Sequence, residues 1–219
     1  MLDALADFLD DVDRYRTAGG SALRALATEP GLWAVATYRL ARAARRELPR
    51  WATLPLRPLE LAVQLVTGVT LPTDAEIGPG LYVGHFGGIV VHPEARLGRD
   101  CNLSHGSTIG IGGRGARRGV PTLGDRVYLG PHAVVFGKVR VGDDAAIGAN
   151  AAVTRDVPDG GVAVGAPARL AGLRGSGDYV KPARAIAERG LLDRVVAALR
   201  LRDYREASPL RLVGEVGAT

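Results

Sequence analysis

Four histidines, one cysteine and an arginine-rich glycine loop stand out in this 219-residue chain as groups able to do chemistry near neutral pH. An imidazole titrates close to neutrality and can take a proton from a hydroxyl or amine as that group attacks. His85 lies in Gly84-His85-Phe86-Gly87-Gly88 and His105 in Ser104-His105-Gly106-Ser107, while His92 and His132 sit in turn-like contexts. On residue type alone, an isolated coil histidine reads as structural more readily than catalytic, and His92 and His132 read as turn or surface residues. The single cysteine, Cys101, excludes an intrachain disulfide and a cysteine-rich zinc site. It lacks the basic neighbour that a nucleophilic thiolate needs, and it reads as core. Arg114, Arg117 and Arg118 interrupt a glycine-rich stretch and can offer charge-assisted contacts to phosphates.

The elements that must hold these residues follow from a six-residue rhythm. Aliphatic residues recur at Leu71, Ile77, Val83 and Ile89, and after a two-residue slip at Leu97, Leu103 and Ile109. The rhythm resumes at Leu123, Leu129, Val135, Val141, Ile147 and Val153, with small or aliphatic residues such as Ala75, Cys101, Ala145 and Val157 at the fifth position. Each hexad makes one short strand and a turn, and three hexads close a triangular coil that stacks on the next. Hairpins would instead alternate with period two. The expected fold is mainly β with α: a parallel β-helix over residues 69–172 with a loop excursion at 110–122. A helical N-terminal domain spans 1–68, where Leu2, Leu5, Leu9 and Val12 recur at helical spacing. A linker and C-terminal helical tail occupy 173–219, with Leu192, Val195, Val196 and Leu199 on one face.

Bulk properties narrow the partners. A net charge of +5 could suit nucleic acid, but the arginines are scattered and aromatics make up only 5%, so no stacking platform is evident and no nucleic acid is expected. The most apolar window, Trp51 to Leu71, contains Arg57, Pro58 and Glu60, which argues against an integral membrane segment and for packing. Arg39, Arg42, Arg45, Arg46 and Arg50 read as a solvated helix face. The acidic start Met1-Leu2-Asp3-Ala4-Leu5-Ala6-Asp7 has no signal-peptide pattern, and a cytoplasmic location is expected.

Several runs carry a resemblance: Pro30-Gly31-Leu32-Trp33, Ile77-Gly78-Pro79-Gly80-Leu81, Gly84-His85-Phe86-Gly87-Gly88-Ile89-Val90-Val91 and Val164-Gly165-Ala166-Pro167-Ala168-Arg169. Over roughly residues 29–172 the chain resembles the serine acetyltransferase family of hexapeptide-repeat acyltransferases, in a branch found among polysaccharide and secondary-metabolite genes. The resemblance implies a left-handed β-helix, acetyl-CoA as co-substrate, no metal, and direct transfer with His85 as general base. It implies acceptor contacts at His105, Arg118 and Gly84. On the CoA side it points to Arg114, Arg117, Gly148, Ala149, Gly165, Ala166 and Arg169. It also implies a homotrimer, or a dimer of trimers, with CoA between neighbouring coils. The end Gly217-Ala218-Thr219 lacks the isoleucine by which the family docks cysteine synthase, so no such complex is expected.

Three positions depart from the pattern. Gly84 stands where the family has an aspartate, Thr70 where it has the carboxylate that orients the histidine, and Gly119-Val120-Pro121 where it has Arg-His-Pro. Removing opposite charges from around an ammonium and a carboxylate weakens recognition of free serine. The expected activity is therefore acetyl transfer to a small-molecule hydroxyl other than serine, with serine O-acetyltransfer as the alternative. A zinc carbonic anhydrase-like site built on His85, His105 and His132, and a non-catalytic scaffold, are the remaining readings.

Overall fold

Short strands with an aliphatic side chain every sixth residue can leave water together only by winding so that those side chains converge on one axis. The computed structural model, which describes residues 2–17 and 21–181, shows this winding. Three parallel sheets form the walls of a triangular prism. One runs Val69–Thr70, Ile89–Val91, Thr108–Gly110, Val134–Phe136 and Ala152–Val153. The other two carry four and six strands, the last of which, Arg169–Gly172, pairs antiparallel with Val162–Val164. Inside, Ile77, Val83, Leu97, Leu103, Ile109, Leu123, Leu129, Val135, Val141, Ile147 and Val153 are all buried in one continuous core.

Register corrects two details of the repeat. Val83 pairs with Leu103, while Val91, not Ile89, pairs with Ile109. The two additional residues therefore lie between Val83 and Val91, in the turn that carries His85, and not after Ile89. Ile89 and Val91 are both buried, which is why the sequence left the choice open. Near the end, Val157 bridges to Val141 and so takes a corner position, not the fifth.

Among the described residues five helices precede the coil: α1 (Leu2–Thr17), α2 (Ala22–Thr28), α3 (Pro30–Glu47), α4 (Arg50–Thr53) and α5 (Leu56–Thr67). The first coil has an open edge whose backbone groups need partners. Side chains of α1 and α3 supply them. Tyr38 Oη donates to Ala75 O (2.8 Å) and accepts from Ile77 N–H (3.2 Å), and Tyr15 Oη does the same with Val83 O (3.3 Å) and Val83 N–H (3.2 Å). Arg39 donates to Ile77 O at 2.7 Å and Gly78 O at 2.6 Å. Asp11 accepts from Leu81 N–H at 2.7 Å and forms a two-point pair with Arg39 at 2.7 and 3.0 Å. Gly31 lets the start of α3 lie against Val83, since a Cβ there would meet Val83 O at 2.2 Å.

The solvated arginine face is thus corrected. Arg39 is buried, Arg42 donates to Thr73 O and Ala75 O, and Arg45 bonds Thr73 and Glu60; Arg46 and Arg50 are exposed. The apolar window packs on one side only, because Trp51 (74%) and Leu65 (75%) remain exposed. Among the described residues no helix is long and apolar enough to cross a membrane. Beyond Gly172 the chain runs back along the wall: Ser176 Oγ donates to Arg126 O, the Tyr179 ring stacks on Tyr128 at 4.5 Å, and Tyr179 O accepts from Asn102. The C-terminal helix expected around Leu192 to Leu199 lies outside the described residues.

Arg39→Met leaves the buried Asp11 carboxylate without its counter-charge, and unfolding free energy measured in urea should fall by about 3–5 kcal/mol. Burial pushes the Asp11 carboxyl up to about 6, against the opposing pull of Arg39. The folded chain then holds this proton more tightly than the unfolded chain, whose carboxyl titrates near 3.8. Asp11 therefore adds stability as pH falls through about 6, and that increment is lost as pH rises through the same value. The stability gap between wild type and Asp11→Asn should widen between pH 7 and about pH 4, measured by urea unfolding at each pH.

Candidate active site

The turn from Val83 to Ile89 is built at the junction of two walls, and its two additional residues push His85 and Phe86 into solvent. Its root is fixed, because Val83 is held by the Tyr15 hydroxyl and covered by α3. Its far side is tied to the next coil, Gly87 O accepting from Gly106 N–H at 2.8 Å. An exposed imidazole on an anchored turn is accessible to a substrate and restricted in where it can reach.

Immediately before it in the chain, Gly84 is half-buried and leaves no room for a side chain. A Cβ at this position would meet the Tyr82 ring at 2.8 Å. That ring is pinned by Tyr15, 4.7 Å away between centroids, and by the Arg14 guanidinium, 5.7 Å from its centroid. Tyr82 was not singled out from the sequence; its contact with Gly84 depends on which face of a two-residue strand it occupies, and no local motif signals that. Thr70, where the resemblance led to a carboxylate being sought, accepts a hydrogen bond from Gln64 Nε2 at 2.8 Å. It lines a cleft of about 240 Å³ with Arg45, Arg57, Glu60 and Asp74. His85 does not line this cleft.

Two of the three remaining histidine rings are not scattered. His105 lies one coil above His85, with centroids 5.8 Å apart and planes at 75°, and His132 lies 5.1 Å from His105 at 90°. The three rings stack in file along one corner instead of converging on a point, and among the described residues no cluster of three or more His, Cys, Asp or Glu side chains is arranged to hold a metal. His92 accepts from Glu94 N–H through Nδ1 at 3.1 Å, a turn contact. Cys101 is fully buried, and burial pushes its thiol up to about 12, which suits core and not nucleophile.

The loop after Thr108–Gly110 is ordered by two mutual backbone bonds between Gly112 and Gly119, each 3.0 Å, around a short 3-10 turn at Gly115–Arg117. Arg114, Arg117 and Arg118 all point into solvent from it. This loop leaves the end of its strand, whereas His85 precedes the start of the paired strand Ile89–Val91, so one chain does not bring the arginines and His85 together. Gly148 and Ala149 lie on the coil below Gly165 and Ala166, linked by Gly148 N–H to Ala163 O at 2.8 Å and Ala152 N–H to Gly165 O at 2.9 Å. Ala149, Gly165, Ala166 and Arg169 are exposed there. Small residues leave backbone accessible to a long ligand arm along this edge.

No family model matches the chain. Among characterised relatives, serine acetyltransferase from Helicobacter pylori strain J99 is 38% identical over 169 residues, spanning 77% of this chain and 96% of the relative. Serine acetyltransferase from Mycobacterium tuberculosis is 36% identical, spanning 78% of this chain and 74% of that protein. In structure, Neisseria gonorrhoeae serine acetyltransferase in complex with serine superposes with a TM-score of 0.67 at 26% identity, over 78% of this chain and 69% of that one. A serine acetyltransferase in complex with CoA gives 0.65 at 27% identity, over 76% and 69%. With coils of the expected fold and a relative matched along nearly its whole length, the chain belongs to the serine acetyltransferase family of left-handed β-helix acyltransferases.

Proposed function

We propose that this chain transfers the acetyl group of acetyl-CoA directly to a hydroxyl, with His85 as general base and free L-serine as acceptor. The observation that carries the reading is the match along 96% of a relative named serine acetyltransferase, with His85 presented on an anchored, solvent-accessible turn. In the reaction His85 takes the hydroxyl proton as the oxygen attacks the thioester carbon. Collapse of the tetrahedral intermediate breaks the carbon–sulfur bond, and the CoA sulfur leaves with the proton returned by His85. The ester product and the free thiol balance the equation. A thioester is already activated, so the residues needed are a base, donors for the developing oxyanion and walls that exclude water.

The separation of His85 from Arg114, Arg117 and Arg118 within one chain supports a site shared between neighbouring copies, as in a trimer. There the loop arginines of one copy reach CoA phosphates held beside His85 of the next, while the small residues Gly148, Ala149, Gly165 and Ala166 line the path of the pantetheine arm.

A second reading, in which the acceptor is a different hydroxyl compound, rests on one specific feature. Tyr82 occupies the space that a side chain at position 84 would take, so no carboxylate stands beside His85 at that point to meet an ammonium group. Loss of charge partners at Thr70 and Gly119-Val120 points the same way.

His85→Ala should lower kcat by about 10²–10⁴-fold with the KM for acetyl-CoA little changed, measured by release of free thiol in the presence of L-serine. Equal turnover by the variant would sink the proposal. Gly84→Asp separates the two acceptor readings. The new side chain meets Tyr82 under either reading, so the comparison is made in the Tyr82→Ala background, where serine as the natural acceptor predicts no gain in kcat/KM for serine. If a different acceptor is natural, the added carboxylate should instead raise kcat/KM for serine there.

A further inference from the structure

A general base is most effective when a third group fixes its ring, and the file of histidines places such a group beside His85. His105 is half-buried, its Nδ1 is fully shielded from solvent and has no hydrogen-bond partner among the described residues, and its ring meets His85 edge-on. A buried ring nitrogen without a partner is unusual in a folded chain and calls for an explanation. His132, one coil further on, closes the file from the other side. Its ring occupies the space above Gly106: a Cβ there would meet His132 Nδ1 at 2.2 Å. The glycine that follows His105 thus makes room for the ring that packs against His105. Titratable rings face His105 from both adjoining coils, His85 below and His132 above, and edge-to-face packing restricts all three more than solvent would.

We propose that His105 is a positioning residue for His85, holding the imidazole through the edge-on ring contact and itself held by His132. The inference rests on His85 being the base, and it assigns to an aromatic partner the orienting task that a carboxylate commonly performs. The coil register puts the two rings one above the other without any contribution from a neighbouring copy.

The test compares wild type with His105→Ala and His105→Phe in the full chain, with acetyl-CoA and L-serine as substrates and two readouts. In the kinetic one, the alanine variant should lose about tenfold in kcat while the KM for acetyl-CoA stays within about twofold, and the phenylalanine variant, which keeps a ring in the file, should recover most of the loss. Unchanged kcat in His105→Ala overturns the proposal. So does a phenylalanine variant as impaired as the alanine variant. The second readout needs no turnover: the His85 ring resonances, assigned through His85→Ala, should be displaced in His105→Ala, where the edge-on ring is gone, and stay near their wild-type positions in His105→Phe. No displacement overturns the contact. Retained activity in His85→Ala would show that the parent reading had failed, and the nuclear magnetic resonance comparison would still decide whether the two rings are in contact.

Discussion

The open edge of the first coil is the constraint on which this molecule depends. A parallel coil satisfies its backbone groups by stacking, so the first turn of the stack has one edge with no strand to pair with. Tyr15, Tyr38, Asp11 and Arg39 reach from two helices to the backbone of Ala75, Ile77, Gly78, Leu81 and Val83 and take the place of that missing strand. Exposed N–H and C=O groups would otherwise cost folding free energy and offer a template for pairing with other chains. The arrangement is built from side chains, two of them a buried ion pair, and so the helical segment and the coil must fold onto each other in one register.

That register also builds the site. The bonds to Val83 end two residues before His85, and the clamp of α3 over the same strand leaves the following turn free to bulge. Within the turn, the two residues in excess of the hexad are what lift His85 off the wall of the prism. A strict hexad would hold the position in a tight corner turn, as it does for His105 one coil above, which is half-buried. The same neighbourhood shapes the next position in the chain: Tyr15 pins Tyr82, and Tyr82 fills the space that a side chain at Gly84 would take. Helix-to-coil docking, the exposure of His85 and the surroundings of Gly84 are therefore successive consequences of one set of contacts.

Much of this was legible in the sequence because it is periodic or local. Aliphatic residues every six positions dictated the prism, and the break from Gly110 to Thr122 marked the loop that the structure shows closed between Gly112 and Gly119. What the sequence could not convey depends on pairing across distance. Ile89 and Val91 both bury, so the hexad count alone could not locate the two extra residues in the His85 turn. The arginines of α3 look alike in a linear pattern, yet Arg39 is buried against Asp11, 28 positions away, and Arg46 faces solvent. His85, His105 and His132 lie at unequal spacings because a slip and a loop intervene, which hid the fact that they fall in file.

The central claim is that acetyl passes directly from a thioester to a serine hydroxyl at His85. Its most direct test is mass spectrometric identification of every acetylated species after the full chain is incubated with acetyl-CoA and an equimolar mixture of L-serine and a free sugar. The account predicts O-acetylserine in an amount equal to the free CoA released, with no acetyl group retained on the protein. CoA release matched by an acetylated sugar, or by acetyl bound to the chain, would contradict it.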